Sequence, residues 1–316
     1  MRGFDNKWKN FPDYILGITQ EIWEGRGIGP RLEDYYHRNV IVRMPGGISQ
    51  GEPATRAATM ATLHEFPDRV LLGEDVIWSG APEVGMLSSH RILSEATHAR
   101  DGIFGPATHE RLRYRIIADC YAKDNKISDE WLIRDNGAIV RQMGQDPSDW
   151  ARARAATAQP FRPEIDVPGP YTGRGNDNRW GALYVSLLQR IMAADFAVIP
   201  EQYDRACHLE YPGGVTAHGH GAADAFWLGL RAAFPSAVFE VHHQIGMEEP
   251  MLPPRVAVRW SLTGKHDGWG SFGRPTGAQV HVMGICHAEF GPWGLRREWA
   301  LYDETAIWMQ IHQHSG

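Results

Sequence analysis

The sequence predicts an α+β protein of two tandem domains, each a curved antiparallel sheet closed on one side by about three N-terminal helices. Three observations carry this. The stretch Glu130-Trp131-Leu132-Ile133-Arg134-Asp135 comes back as Glu298-Trp299-Ala300-Leu301-Tyr302-Asp303, a step of 298 − 130 = 168 residues. Other pairs keep that step: Phe66-Pro67 with Phe234-Pro235, Arg91 with Arg259, His98 with His266, and Gly102-x-Phe104-Gly105 with Gly270-x-Phe272-Gly273. Ala138-Ile139 with Ala306-Ile307 and Gln142 with Gln310 extend it. Matches in one register over a period this long mark a duplicated domain rather than a solenoid repeat. Finally, each copy places helical patterns first and extended segments after, the order of an α+β layout.

In the first copy, residues 11–25 carry Pro12 near a helix start and put Ile15, Ile18, Ile22 and Trp23 on one helical face, with Gly25 and Gly27 as the stop. A shorter helix from Arg31 to His37 leads into a strand at Val40–Val42 and a turn at Met44-Pro45-Gly46-Gly47. A third helix runs from about Pro53 to Glu65, where Phe66-Pro67 forbids continuation. Extended segments follow at Val70–Ile77, Met86–Thr97, Leu112–Ala122 and Ile127–Ile133. The second copy repeats the plan. Helices are expected at Trp180–Phe196, near Pro200 and at Ala222–Phe234; strands at Val238–Ile245, Arg255–Leu262, Gln279–Phe290 and Leu295–Leu301. Its Pro212-Gly213-Gly214 answers Pro45-Gly46-Gly47 at a step of 167, one residue short. Domains are expected at 1–144 and 179–316. Between them, 145–178 is rich in Pro, Gly and Asn and reads as a linker. The tail His312-Gln313-His314 reads as a frayed end.

Composition narrows the function. A net charge of −6 argues against a nucleic-acid backbone as partner, and no apolar run is long enough to span a bilayer. The N-terminus lacks the apolar region of a secretory signal. Cys120, Cys207 and Cys286 have no paired spacing and read as reduced thiols, so a cytoplasmic location is expected. His218-x-His220 and His242-His243 are the densest imidazole groups, but neither has zinc-site spacing, so no metal is expected. Twelve Trp and fifteen His suit aromatic pocket walls and buried imidazoles.

The run Gly264-Lys265-His266-Asp267-Gly268 with Phe272-Gly273-Arg274-Pro275-Thr276-Gly277 resembles a segment of SnoaL-like polyketide cyclases and ester cyclases. The ends Ile127…Gly144 and Leu295…Gln310 resemble that family's last strand and tail. The resemblance implies the nuclear transport factor 2-like fold, a conical domain with a curved sheet around a pocket. It also implies no metal or organic cofactor, a small-molecule substrate, and pairing of domains through their sheets. That pairing would be an intramolecular pseudo-dimer here, with a homodimer of chains as the alternative. The family's catalytic aspartate, however, falls on Leu132 and Ala300, and its histidine two residues earlier on Glu130 and Glu298. A further histidine position falls on Ala118 and Cys286. The known cyclisation arrangement is therefore missing from both copies.

What remains is Glu130 and Glu298. Residues two apart on a strand share a face, so each glutamate should share the cavity face that the resemblance implies for Leu132 and Ala300. Burial would raise its pKa and suit it to proton transfer. The bland alternative is a salt bridge to Arg115 or an exposed edge position. His98 and His266 are candidates to polarise a substrate, against a backbone-bonding role at a strand end. Asp119 and its counterpart His287 are further candidates, although simple alternation points Asp119 away from the Ala118 face unless a bulge intervenes. His90, Trp23, Tyr121, Cys286, Trp260 and Trp227 are expected as pocket walls. The leading expectation is an acid/base enzyme on a small carbonyl- or ester-bearing molecule, of isomerase, cyclase or lyase type. A non-catalytic ligand-binding or scaffold protein, and a water-activating hydrolase of epoxide-hydrolase type, are the alternatives.

Overall fold

A computed structural model describes residues 1–315. The chain folds as two compact units. The first comprises residues 1–134, 138–145 and 161–173; the second comprises 135–137, 146–160 and 174–316. The stretch expected as a linker is thus shared out between them, and it is not structureless. It carries α5 (Pro147–Arg152) in the second unit and a turn of 3-10 helix at Pro163–Ile165 in the first.

In the first unit the order is α1 (Phe11–Thr19), α2 (Pro30–Tyr35), β1 (Tyr36–Met44), β2 (Gly47–Gln50), α3 (Glu52–Glu65), β3 (Val70–Ala81), β4 (Gly85–Thr97), β5 (Arg111–Lys123) and β6 (Lys126–Arg134). The next helix, α4 (Asn136–Gln142), straddles the division. The second unit has α6 (Arg179–Met192), α7 (Val198–Gln202), β7 (Tyr203–Tyr211), β8 (Val215–His218), α8 (His220–Ala233), β9 (Val238–Met247), β10 (Arg255–Lys265), β11 (Gln279–Gly291), β12 (Gly294–Tyr302) and α9 (Glu304–Ser315).

The two sheets have one topology. The first runs β2-β1-β6-β5-β4-β3 and the second β8-β7-β12-β11-β10-β9. From β3 to β6, and from β9 to β12, the strands form the antiparallel meander that the alternation predicts. Each sheet is nevertheless mixed, because its first strand lies parallel to its last. This long-range pairing leaves no local mark in the sequence. The Pro-Gly-Gly turns are tight hairpins that add a short strand, β2 or β8, to the sheet edge.

Helix starts follow the capping chemistry. Asn10 Oδ1 accepts the Asp13 amide at 2.9 Å to open α1, and Asn178 Oδ1 accepts the Trp180 amide at 2.9 Å to open α6. The first helix departs from expectation at its end. Helical hydrogen bonding widens to a π-turn over Gln20–Glu24, closed by the Gly25 amide on the Gln20 carbonyl. Such turns are rare and recur beside functional sites. This one carries Trp23, which lines the first unit's cavity. The tail expected to fray is instead the end of α9, where His312 Nε2 lies 2.9 Å from Ser148 Oγ of α5. Among the described residues no helix is long and apolar enough to cross a membrane.

Candidate active site

Strand register decides which side chains meet inside the first sheet. Laterally, Ser88, Cys120 and Glu130 stand in one row, and His90, Ala118 and Leu132 in the next. These rows share the face that α1 and the π-turn cover. Together they enclose a cavity of about 90 Å³ whose walls include Ile15, Ile18, Trp23, Tyr36, His90 and Glu130. A second hollow of about 160 Å³, bordered by Leu16, Gln20 and Glu24, shares Thr19, Leu71 and Ile92 with it.

Glu130 is the carboxylate of this cavity and is 5% exposed. The Tyr36 hydroxyl donates to its Oε2 at 3.1 Å. Burial pushes its pKa up to about 7, with the Tyr36 bond pulling modestly the other way. Arg115, the salt-bridge partner of the bland alternative, is instead bonded to Glu74. His90 is buried and sits 3.3 Å from Ser88 Oγ through Nδ1; burial lowers its pKa to about 4, so it is a neutral imidazole near pH 7. Cys120 is held as a thiol, because burial raises its pKa well above the ordinary value and Glu130 adds to that.

The duplicate carboxylate sits in a different environment. Glu298 is fully buried and is surrounded by donors. The Tyr184 and Tyr203 hydroxyls donate to Oε1 at 2.7 and 2.8 Å. The Tyr211 hydroxyl and the Trp227 indole N–H donate to Oε2 at 2.8 and 3.3 Å. Burial raises its pKa, while all four donors oppose the rise by stabilising the carboxylate. Tyr203 is the counterpart of Tyr36 at the step of 167, and both open the first strand of their sheet. The other donors have no equal in the first unit. Tyr211 answers Met44 at the step of 167, and Trp227 answers Thr59 at 168.

Packing around Glu298 changes in step. Ile92 is replaced by Trp260 and Ile116 by Gly284, and each pair is laterally adjacent in its own sheet. A Cβ on Gly284 would stand 2.1 Å from the Trp260 ring, so any larger residue there would collide with the indole. Trp227 and Trp260 are both fully buried, and His90 is replaced by Val258. Cys286 accepts the Trp260 indole N–H at 3.1 Å. Cys286, Trp260 and Trp227, expected as pocket walls, are therefore members of the second unit's core.

Several other expected site residues lie elsewhere. Asp119 pairs laterally with Ser89 and Trp131, and His287 with Ala257 and Trp299. These rows alternate with the cavity rows, so both residues are on the opposite face; the bulge in β5 comes later, between Tyr121 and Ala122. Tyr121 shares that face and donates to the Val84 carbonyl at 3.0 Å. His98 lies just past the end of β4. Its Nδ1 accepts the Thr108 amide at 3.2 Å, which places the proton on Nε2, 3.2 Å from Glu65 Oε1. Glu65 also accepts the amides of Ile103 and Phe104. His98 therefore ties down a loop and does not face the cavity. His266 repeats the threonine contact, with Nδ1 3.1 Å from Thr276 Oγ1, but Glu65 has become Ala233. Of the expected residues, the structure brings together Glu130, His90 and Trp23.

Sequence reasoning missed Tyr36 and Arg69, both of which line the cavity. Tyr36 could have been found from the repeat, since Tyr36 and Tyr203 match at the same step of 167 as the glycine turns. Among the described residues no cluster of His, Cys, Asp and Glu is arranged to hold a metal ion.

Comparison with known proteins gives three results. Residues 184–296 match the family model of the SnoaL-like domain. A comparison with curated proteins finds no match. Similar solved structures include IdmH, a candidate polyketide cyclase from Streptomyces antibioticus, at 18% identity over 42% of this chain and 97% of that one, with a TM-score of 0.37. Another is a candidate SnoaL-like polyketide cyclase from Jannaschia sp., at 19% identity over 43% and 96%, TM-score 0.36. A third is AclR, a candidate hydroxylase from Streptomyces galilaeus, at 19% identity over 41% and 92%, TM-score 0.35. The family match falls on the unit whose glutamate is sealed by four donors, while the cavity beside Glu130 is in the other; the second unit's own hollow, about 760 Å³, lies away from Glu298 between α5, α9 and Phe272–Thr276. The SnoaL-like match thus lies within the second unit, and the first unit has a sheet of the same strand order.

Proposed function

We propose that the first unit is an acid/base enzyme acting on a small carbonyl- or ester-bearing molecule, with Glu130 taking and returning a proton beside the carbonyl. The second unit then serves as a structural partner whose own glutamate is retired from chemistry. One observation carries this reading: a carboxylate buried in an apolar cavity, held by a single tyrosine, with a pKa of about 7. At neutral pH both its forms are populated, so one side chain can serve as base and then as acid. Neutral His90 offers one donor and one acceptor in the same cavity. The pair of carboxylates that a water-activating hydrolase would use is not supported, because Asp119 lies on the opposite face of the sheet.

The test is proton exchange. The full chain is incubated in deuterium oxide with small β-keto esters and 1,3-diketones, and loss of the α-proton signal is followed by NMR. Exchange above the buffer rate that disappears in Glu130→Gln and survives in Glu298→Gln supports the proposal. Exchange that is unchanged in Glu130→Gln overturns it.

A further inference from the structure

The cavity of the first unit carries a cation with no acidic partner. Arg69 immediately precedes β3 and lines the same cavity as Glu130 and His90. Its Nε is buried and makes no hydrogen bond, the residue as a whole is half-buried beside the Tyr114 hydroxyl, and among the described residues no carboxylate forms an ion pair with it. The neighbouring arginines are served differently: Arg91 and Arg115 both reach Glu74, and Arg43 reaches Asp129 and Asp166. A guanidinium stays charged in proteins, and holding one in a largely apolar cavity without a carboxylate is costly. In the second unit position 69 + 168 = 237 is Ala237, a core residue. The cation thus belongs to the copy with a cavity beside its glutamate.

We propose that Arg69 is the anion-binding residue of this site and that the substrate carries a carboxylate, which the guanidinium fork holds while Glu130 works on the adjoining carbonyl-bearing carbons. A planar fork matches a carboxylate with two parallel hydrogen bonds. The remaining walls are largely isoleucine and leucine, which favours a monoanion with an apolar body over a phosphate, whose dianion needs more donors. The size of the hollow points the same way. About 90 Å³ is well below the roughly 300–1,000 Å³ of pockets that take drug-sized ligands, so the acid is small. This assignment rests on the proposed acid/base reading for its catalytic meaning, but not for binding.

The experiment compares hexanoate with its neutral isostere hexanamide on the full chain, using Trp fluorescence and calorimetry. The expected result is hexanoate binding about tenfold tighter or better than hexanamide to the wild type. That preference should fall to near unity in Arg69→Met, be partly kept in Arg69→Lys, and persist in Glu130→Gln. Equal affinity of the two probes for the wild type, which needs no variant, overturns the proposal, as does a preference that survives Arg69→Met. Loss of proton exchange and loss of carboxylate preference are separate readouts, so failure of the base assignment and failure of the anion site are told apart.

Discussion

The Tyr36 hydroxyl lies 3.1 Å from Oε2 of Glu130 and is the one side-chain donor that reaches this carboxylate among the described residues. The same tyrosine–glutamate contact recurs between Tyr203 and Glu298, where three further donors join it. Duplication therefore left one glutamate short of partners beside a cavity and another saturated inside a core. A carboxylate with an unmet hydrogen-bonding capacity can engage a substrate; one with four donors already bound has little left to offer.

Removing the Tyr36 bond should change the acid strength of Glu130 in a known direction. The bond favours the ionised form, so Tyr36→Phe should raise the pKa of Glu130 beyond about 7. In a pH–rate profile of the exchange reaction, the limb reporting Glu130 should move to higher pH. A limb that stays in place would show that Tyr36 does not set it.

Glu298 should matter for stability alone. Glu298→Leu leaves three tyrosine hydroxyls and an indole N–H buried around an apolar side chain, which should cost about 3–5 kcal/mol in urea unfolding. Proton exchange by the molecules that remain folded should keep its wild-type rate. Loss of exchange in well-folded Glu298→Gln would place chemistry in the second unit.

Glu130 and His90 pull stability in opposite directions with pH. Glu130 has a folded pKa near 7 against an ordinary 4.5, so the folded state holds the extra proton and stability is lost as pH rises through that window. His90, lowered from 6.5 to about 4, behaves conversely: stability is lost as pH falls from 6.5 through 4. In the wild type the slopes largely cancel. The difference in unfolding free energy between wild type and Glu130→Gln should therefore change by about 3 kcal/mol between pH 4.5 and pH 7. A difference that is flat with pH would mean that Glu130 titrates normally.

The packing that replaces the cavity should be transplantable. Ile92→Trp together with Ile116→Gly copies the Trp260–Gly284 pair into the first unit. The double variant should fold with stability near wild type and lose probe binding and exchange. Ile92→Trp alone should be destabilised by about 1–3 kcal/mol, because the indole would meet the Ile116 side chain. Chemical denaturation and the hexanoate assay read both effects.

The fold was legible because the repeat supplies a second reading of every element. The glycine turns, the Phe-Pro helix stop and the last strand each appear twice. Parallel pairing of β1 with β6 was not legible, since it joins segments nearly a whole domain apart and leaves no local pattern. Glu130 and Glu298 were found from the family resemblance of the last strand together with strand parity, but both treat the two copies alike. What separates them is in the substitutions between copies: Ile92 to Trp260, Thr59 to Trp227, Met44 to Tyr211 and Arg69 to Ala237. Each was readable by applying the repeat step to apolar and charged positions as well as to the matches. For His98 the repeat match allowed a catalytic role beside a backbone-bonding one at a strand end, and the latter is what the structure has, with the ring nitrogens engaged by the Thr108 amide and Glu65 in holding a loop.

The central claim is that Glu130 alone is held ready for proton transfer near neutral pH, and carboxyl carbon NMR of selectively labelled glutamate tests it most directly. The account predicts one resonance titrating with a midpoint near 7 that is missing from Glu130→Gln and moves upward in Tyr36→Phe. A Glu130 resonance with its midpoint near the ordinary glutamate value would contradict it.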